Sequence, residues 1–260
     1  MSTQLTTRSF FEKPDVQKKF AEMLGKRSTQ FITSVMQVAN SNELLAKATP
    51  TSIYGAAVTA AVLDLPIQNN LGFAYIVPYN DRNSGQCIAQ FQLGYKGLIQ
   101  LALRSGQFKN ISVCEIYEGQ IVSENPLTGY VFDFSKRDSN NIVGYAAYFA
   151  LINGFEKTEY MSREKIEAHG KKFSQTFKKG FGVWKDDFDS MAKKTVLKLT
   201  LSKYAPLSVE MQKAITFDQS VTNDGENVEY IDHVNEVVDV QAEEVQQAGE
   251  KLTNGLFDEK

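Results

Sequence analysis

The clearest pattern of apolar and polar positions lies in the middle of the chain, over residues 71–106. Two β-type runs, Phe73–Tyr79 and Cys87–Leu93, flank a polar tip rich in Gly, Asn, Asp and Ser, which predicts a hairpin with a longer loop. Gly94 then marks a turn, and apolar residues at helical spacing follow it as far as Gly106. The pattern predicts a unit of two strands and one helix.

Helical periodicity precedes this unit. Pro14, followed by an acidic residue, begins one helix, and Ser28 and Ser41 are predicted to cap two more. Pro50 opens a fourth helix that runs roughly to Leu65. Short helices ahead of a compact core suit either packing against that core or contact between subunits, and the pattern leaves both open.

Strand-like patterns follow the central unit. They cover Ile111–Tyr117, Tyr130–Phe134, Ile142–Ile152 and Phe155–Met161. The Asn153-Gly154 pair predicts a type I′ hairpin turn between the last two of these runs. We therefore predict an α+β fold, in which a hairpin and an antiparallel meander of about five strands pack on helices.

The chain then returns to helical patterns. A helix begins at Ser162, and the basic stretch Lys171–Gly182 is interpreted as a mobile loop or a poorly ordered helix end. A long basic helix is predicted from Trp184 or Asp186 to about Tyr204, near the C-terminal end of the core.

Charge divides the chain into a basic body and an acidic tail. Residues 218–260 contain twelve acidic and two basic residues, whereas residues 1–217 contain 26 basic and 19 acidic residues, a net charge of +7. We predict an N-terminal arm with helices over 1–50, a core over 51–217 and a disordered tail over 218–260. A basic body favours a polyanionic partner.

Several classes of protein are disfavoured. No run of about 18 apolar residues predicts a membrane span, and the first residues lack the apolar region of a signal peptide. Cys87 and Cys114 are too few for a zinc motif, and we expect two buried, reduced thiols in a cytoplasmic protein. The phosphate-binding loop motif of ATPases is absent, which disfavours ATP-driven strand exchange.

Candidate catalytic groups are weak. Asp186, Asp187 and Asp189 form an acidic cluster, but acids at the start of a helix have a simpler explanation in the helix dipole. His169 and His233 have no Cys or Ser partner at a recognisable spacing. We therefore expect a protein that is not an enzyme and has no cofactor and no metal site of its own.

Basic and aromatic residues mix in two regions, as is typical of proteins that bind single-stranded nucleic acid. The candidates in the central unit are Tyr75, Tyr79, Arg82, Gln92, Tyr95, Lys96 and Arg104. The candidates in the C-terminal part of the core are Lys171, Lys172, Lys178, Trp184, Lys185, Lys193, Lys194, Lys198 and Lys203.

Each candidate has a competing interpretation. Lysine pairs can be a solvated helix face, and Trp184 can be a core residue. Lys194 and Lys198 are expected to face solvent, because the predicted apolar stripe lies on another side of their helix. Lys96 lies between glycines, where a phosphate could approach the backbone closely.

Four long blocks carry a resemblance to a known family. They read LDLPIQNNLGFAYIVPYN, FQLGYKGLIQLALRSGQ, GYAAYFALINGFEKTEYMSREKIEAH and WKDDFDSMAKKTVLK. Together they resemble the RecT family of phage recombinases, which are single-strand annealing proteins. The resemblance extends from about Val16 to Ile215.

The resemblance implies ATP-independent binding of single-stranded DNA and annealing of complementary strands to a duplex. It also implies self-association into rings or helical filaments, a 5′→3′ exonuclease partner, and a phage or prophage gene acting in the bacterial cytoplasm. Mg²⁺ is expected only to modulate annealing. The main alternative is a general single-stranded DNA-binding protein without annealing activity, and a metal-dependent nuclease is a more distant one.

Overall fold

A computed structural model describes residues 6–81, 85–125, 127–180, 182–218, 220–223 and 227–230. The helices of this part of the chain are α1 (Thr7–Phe11), α2 (Pro14–Leu24), α3 (Ser28–Ser41), α4 (Glu43–Ala46), α5 (Pro50–Val62), α6 (Tyr95–Arg104), α7 (Arg163–Phe173), α8 (Gln175–Lys179), α9 (Val183–Asp186), α10 (Phe188–Tyr204) and α11 (Val209–Phe217). Among these residues, no helix is long and apolar enough to cross a membrane.

The strands form antiparallel sheets, so the predicted α+β class is confirmed. They are β1 (Ala74–Asn80), β2 (Cys87–Leu93), β3 (Phe108–Tyr117), β4 (Ile121–Asn125), β5 (Gly129–Phe132), β6 (Ile142–Leu151), β7 (Glu156–Ser162), β8 (Ser220–Asn223) and β9 (Asn227–Tyr230). One sheet has the order β1-β2-β8-β9 and a second has the order β3-β6-β7. Strands β4 and β5 form a separate two-stranded sheet, and β3 pairs directly with β6. The strand order therefore differs from a simple meander, in which each strand pairs with the next one in the chain.

The N-terminal helices share the core of the rest of the chain. Phe11 and Phe20 are buried, and both rings contact Tyr54 of α5. Pro14 begins α2 as predicted. The predicted cap at Ser41 is wrong, because Asn42 accepts hydrogen bonds from the first amides of α4 instead. These helices therefore contribute to core packing, and their role in subunit contact stays a prediction.

Helix α3 also begins differently from the prediction. Its first residue is Ser28, but the Ser28 side chain makes no capping hydrogen bond. A 3₁₀ turn, Gly25–Arg27, leads directly into the helix, so the preceding residue is already in a helical conformation.

Helix α5 supports the first sheet. Its small residues Ala56, Ala57 and Ala60 are buried, and they let the helix pack closely against β1 and β2. Ile76 and Phe91 point from those strands into the same core. The opposite face of the hairpin is thus left to form a site.

Two glycines join this sheet to α6. A Cβ atom added at Gly94 would lie 2.1 Å from the carbonyl oxygen of Gly72, and one added at Gly97 would lie 2.2 Å from that of Phe73. The Gly94 amide also donates a hydrogen bond to the Phe73 carbonyl at 2.9 Å. Gly106 has a φ of 68° and follows the helix, as the sequence predicts for its end.

The turn between β6 and β7 differs from the predicted type I′ turn. Gly154 has a φ of 90°, but Asn153 has a negative φ, and a type I′ turn needs positive values at both central residues. The Asn153 side chain instead accepts a hydrogen bond from the Phe155 amide at 3.0 Å. Gly154 alone is in the left-handed region, which fits a hairpin loop longer than two residues.

The stretch predicted as a loop, Lys171–Gly182, is largely helical. Helix α7 continues to Phe173, and the Ser174 hydroxyl then accepts a hydrogen bond from the Phe177 amide to cap α8. Gly180 ends α8 with a φ of 68°. Serine capping and a left-handed glycine thus divide the stretch into short helices.

The tail predicted to be disordered from residue 218 is ordered at its start. Asp218 is buried, and β8 pairs with β2 through Phe91 and Ser220. Strand β9 pairs with β8 in turn. Disorder is therefore wrong for 218, 220–223 and 227–230, whereas 231–260 lie outside the described residues. The proposed division into three parts stays a prediction.

We predict that Gly94→Ala destabilises the fold by about 3 kcal/mol, because its Cβ would overlap the Gly72 carbonyl and push backbone against backbone. Gly106→Ala is the matched control. Its Cβ would meet nothing within 4 Å, so only the cost of a left-handed alanine remains, about 1–2 kcal/mol. Urea unfolding followed by circular dichroism measures both, and equal losses would contradict the role of Gly94.

Candidate nucleic-acid interface

The face of the β1–β2 hairpin that points away from α5 carries polar and aromatic side chains. The strand register pairs Tyr75 with Gln92, Val77 with Gln90 and Tyr79 with Ile88, so these six side chains share one face. The other face is buried on α5. Alternation along the two strands therefore places two tyrosines and two glutamines side by side.

This face is the floor of a cleft of about 490 Å³. Helix α4 contributes Leu44 and Leu45 to one wall, and Val183, Trp184 and Met191 line another wall. Among the described residues that line the cleft, Asp186 carries the one charged side chain. The cleft is thus largely neutral.

Several N–H groups in this cleft have weak partners or none. The Gln92 amide donates to the Met191 thioether at 3.4 Å, which is a weak acceptor. Gln90 Nε2 and Trp184 Nε1 are buried, and neither has an acceptor within hydrogen-bonding distance among the described residues. Gln90 was not among the sequence candidates, although strand alternation places it beside Gln92.

Trp184 is not an exposed stacking surface. Its side chain is 7% exposed, and its ring packs against Phe177 at 5.2 Å and Phe188 at 5.7 Å between centroids. The interpretation of Trp184 as a core residue is therefore the right one, although its ring still lines the cleft.

The N-terminus of α6 brings several candidates together beside this cleft. Lys193 Nζ lies 5.4 Å from the centre of the Tyr95 ring and 2.8 Å from Glu115 Oε1. Burial opposes its charge, but the hydrogen bond and charge of Glu115 raise the pKa of Lys193 overall. Lys96 is exposed, and its methylene groups lie beside Gly72 and the Tyr75 hydroxyl.

The glycines around Lys96 have a different role from the one expected. Gly94 and Gly97 accommodate the backbone of Gly72 and Phe73, so no space is left at these glycines for a phosphate. Lys96 remains an exposed cation at the rim.

Arg104 does not belong to this group. Its guanidinium donates to the carbonyl oxygens of Leu63 and Asp64 at 2.9 and 2.8 Å, and so caps the end of α5. It lies eight residues from Lys96, or about 12 Å along α6. Their proximity in sequence therefore does not create a shared site.

The densest positive surface lies over α7 to α9. We call residues 170–185 the basic segment, because no acidic residue occurs between Glu167 and Asp186. Phe177 and Trp184 pack inward. The lysines whose side chains are described are all exposed, and they are Lys171, Lys172, Lys178 and Lys185.

The basic segment separates the hairpin cleft from a second cleft of about 260 Å³. Thr176 and Val183 of the segment line the hairpin cleft, whereas Phe173 and Ser174 line the second one, together with Lys198 of α10. The second cleft thus has lysines in its lining, whereas the hairpin cleft has exposed lysines only in the adjoining segment.

Lys194 and Lys198 do not form the expected solvent-facing pair. Both ammonium groups lie 2.8 Å from the buried Asp218 carboxylate, and the Lys194 side chain is only 5% exposed. The Leu93 amide donates to the same carboxylate at 2.9 Å. Sequence periodicity could not show this, because Asp218 lies more than twenty residues away in what looked like the tail.

Burial and the two lysines act in opposite directions on Asp218. Desolvation of the carboxylate would raise its pKa, but the charges and hydrogen bonds of Lys194 and Lys198 outweigh this and lower the pKa to about 2. The carboxylate thus stays ionised near neutral pH and neutralises part of α10.

The remaining candidates are scattered. Lys203 is exposed and lies 4.9 Å from the Tyr204 ring, which Lys157 also contacts. Tyr79 lines the hairpin cleft. Arg82 lies outside the described residues.

The acidic cluster has separate structural roles. Asp187 caps α10 by accepting a hydrogen bond from the Ser190 amide at 3.1 Å, and Asp189 accepts one from the Tyr145 hydroxyl. Over the described ranges, no group of three or more His, Cys, Asp or Glu residues is arranged to hold a metal ion.

Comparison with known proteins covers most of this region. The family model described as "RecT family" matches residues 29–234. The chain is 50% identical to "Uncharacterized protein YqaK" of Bacillus subtilis (strain 168) over 234 residues, which are 87% of this chain and 79% of that protein. It is 28% identical to "Protein RecT" of Escherichia coli (strain K12) over 226 residues, 81% of this chain and 79% of that protein. Both clefts and the basic segment lie inside the matched family region.

We predict that Asp218→Asn lowers the free energy of unfolding at pH 7 by about 3–5 kcal/mol, because it leaves Lys194 buried without its counter-charge. The folded pKa lies below the unfolded one, so the carboxylate stabilises the fold above about pH 4 and loses this effect as pH falls towards 2. The difference between the two proteins should therefore shrink over that range.

Urea unfolding at a series of pH values measures this. Glu12→Gln is the matched control, since its pair with Arg8 is exposed and contributes less than about 1 kcal/mol. A difference that is independent of pH would show that the charge of Asp218 is not what stabilises the fold.

Proposed function

This chain belongs to the RecT family, whose members are DNA-binding, single-strand annealing proteins of recombination, and we propose on that premise that it binds single-stranded DNA and anneals complementary strands. We further propose that it does so without ATP and as an oligomer on DNA. Family membership over residues 29–234 is the observation that carries the proposal. Annealing makes and breaks no covalent bond, so the proposal requires no catalytic residue.

The basic segment supports contact with the DNA backbone. Lys171, Lys172, Lys178 and Lys185 are exposed on a stretch without acids. Cations on such a surface displace the counterions of the phosphates, which gives affinity that does not depend on sequence. Lys96, which is exposed and whose methylene groups lie beside Gly72, is a further candidate for a phosphate contact.

Specificity in this proposal comes from the DNA itself. The protein needs to hold two polyanionic strands near each other and to reduce the repulsion between them, while Watson–Crick pairing selects the complement. A code for base edges is therefore unnecessary. Lys194 and Arg104 are better explained as structural cations, because Lys194 is paired with a buried carboxylate and the Arg104 guanidinium donates to two backbone carbonyl groups.

Partners and setting follow from the family rather than from the geometry. We propose assembly into rings or helical filaments, a 5′→3′ exonuclease that supplies the single strands, and action in the cytoplasm of a bacterium that carries a phage or prophage. The acidic residues beyond 230 would contact that exonuclease or compete with DNA for the basic segment. No resident metal is proposed, and Mg²⁺ would act on the DNA.

An annealing assay separates the proposal from its alternatives. We expect the full-length protein to accelerate duplex formation between complementary oligonucleotides without ATP, with or without Mg²⁺. Binding without faster pairing would favour a general single-stranded DNA-binding protein. Shortened strands in the presence of Mg²⁺ would indicate a nuclease, and either result would overturn the annealing function. Gel electrophoresis with labelled strands distinguishes all three results.

The double variant Lys178→Gln/Lys185→Gln should weaken binding to every sequence alike and flatten its dependence on salt. Each lost phosphate contact lowers the slope of log affinity against log salt by about 0.7, so two contacts lower it by about 1.4. Fluorescence anisotropy of a labelled oligonucleotide at several salt concentrations measures the slope.

The control is Lys109→Gln/Lys136→Gln, which removes the same charge from exposed positions in β3 and in the loop after β5. Its slope should match that of the unmodified protein. If both double variants lower the slope equally, net charge rather than the basic segment accounts for binding.

A further inference from the structure

We propose that the hairpin cleft binds one unstacked nucleobase of the single strand and selects bases that carry ring carbonyl groups. This inference rests on the proposed function, since it assumes that single-stranded DNA is the ligand. It adds a base contact to a protein whose annealing activity does not require one.

The unpaired N–H groups identify the ligand chemistry. Gln90 is 4% exposed, and its Nε2 atom has no acceptor among the described residues. Trp184 Nε1 also has no acceptor among the described residues, and the Trp184 side chain lines both this cleft and the second one. Buried polar groups in folded proteins are almost always paired, so these unpaired donors point to an acceptor supplied from outside.

Gln92 strengthens the argument. Its amide donates to the Met191 thioether at 3.4 Å, and a carbonyl oxygen would be a far better acceptor. All three groups are donors, so the ligand must present acceptors. Thymine, cytosine and guanine present carbonyl oxygens, each with two lone pairs, whereas adenine presents only ring nitrogens with one lone pair each, so carbonyl bases match a set of several donors better.

The shape and charge of the cleft favour a base over a phosphate. Tyr75 and Tyr79 lie on its floor, and aromatic side chains are common platforms for bases. Its volume of about 490 Å³ lies within the usual range of small-ligand sites. Asp186, the one charged side chain among the described lining residues, is negative and would repel a phosphate.

The basic segment next to the cleft indicates where the phosphate backbone of the bound DNA strand would lie. Residues of the basic segment line one side of the cleft, and exposed Lys178 and Lys185 lie in α8 and α9 next to it. A strand that follows these lysines could turn one base into the cleft while its phosphates stay on the rim. Neutral interior and basic rim thus match the two parts of a nucleotide.

Trp184 offers a direct readout, because it is the chain's only tryptophan. The test compares oligo-thymidine with an oligonucleotide of equal length in which difluorotoluene, a thymine isostere without carbonyls, replaces each base. Anisotropy of an end label reports binding, and tryptophan emission reports occupancy of the cleft. We expect about tenfold tighter binding of oligo-thymidine and a change in emission that the isostere does not produce.

A variant tests the donor itself. Gln90→Leu should lower the affinity ratio between the two oligonucleotides several-fold, with Gln92 and Trp184 left as donors, while the free protein becomes no less stable, since an unpaired amide is removed. The matched control is Gln120→Leu. Gln120 is similarly buried but fully paired, with Tyr117 and Phe134, so its loss should lower stability and leave the ratio unchanged.

The outcomes separate the two proposals. If both oligonucleotides bind equally well and change the emission equally, the base cleft is wrong while single-strand binding stands. If oligo-thymidine binds without changing the emission, the cleft is likewise wrong. If neither oligonucleotide binds, the proposed function fails and takes this inference with it. The first comparison uses the unmodified protein, so it holds even if Gln90→Leu does not fold.

Discussion

A single buried carboxylate connects the main elements of this protein. Asp218 receives hydrogen bonds from Lys194 and Lys198 of α10 and from the Leu93 amide at the end of β2. Desolvating three charges is costly, and the arrangement is stable only because they are paired at 2.8 Å. The hairpin that forms the cleft floor, the long helix beside it and the strand that follows α11 are thereby held at fixed positions. Loss of any of these hydrogen bonds would therefore alter the position of the elements that line the cleft.

Pairing within the protein also decides which cationic side chains are available to a ligand. Lys194 and Lys193 are engaged with carboxylates, and Arg104 with backbone carbonyls, so their charge serves the fold first. The basic segment is built in the opposite way. Phe177 and Trp184 supply buried contacts, and the lysines whose side chains are described lie at the surface. A count of basic residues along the sequence therefore overestimates the number of cations that can bind a ligand. The structure shows which of these cations already have a carboxylate or carbonyl partner.

Local signals in the sequence were sufficient for part of the local structure. Strand alternation and turn residues predicted the β1–β2 hairpin, and Gly106 the end of α6, because each depends on residues a few positions apart. Local signals missed the cap of α4 and the helix α8, and the other failures depend on distant partners. The sequence could not show that Asp218 lies beneath Lys194, that Gly94 faces the Gly72 carbonyl, or that Arg104 caps α5. Asn153 shows a different limit, since a favourable dipeptide does not fix the length of a turn.

A cleft that holds a base must still release it when the complementary strand arrives. A hydrogen bond to a neutral side chain contributes about 1 kcal/mol net, and stacking in DNA contributes about 1.4 kcal/mol for each base-pair step. A base held by the net free energy of about one such bond is thus retained on a single strand but gains slightly more by pairing and stacking in a duplex. Charged groups in the cleft would hold the base too tightly for this exchange. The neutral donors Gln90, Gln92 and Trp184, next to a segment whose exposed lysines are proposed to contact phosphates in either state, are therefore suited to a protein that presents a strand and then gives up its bases.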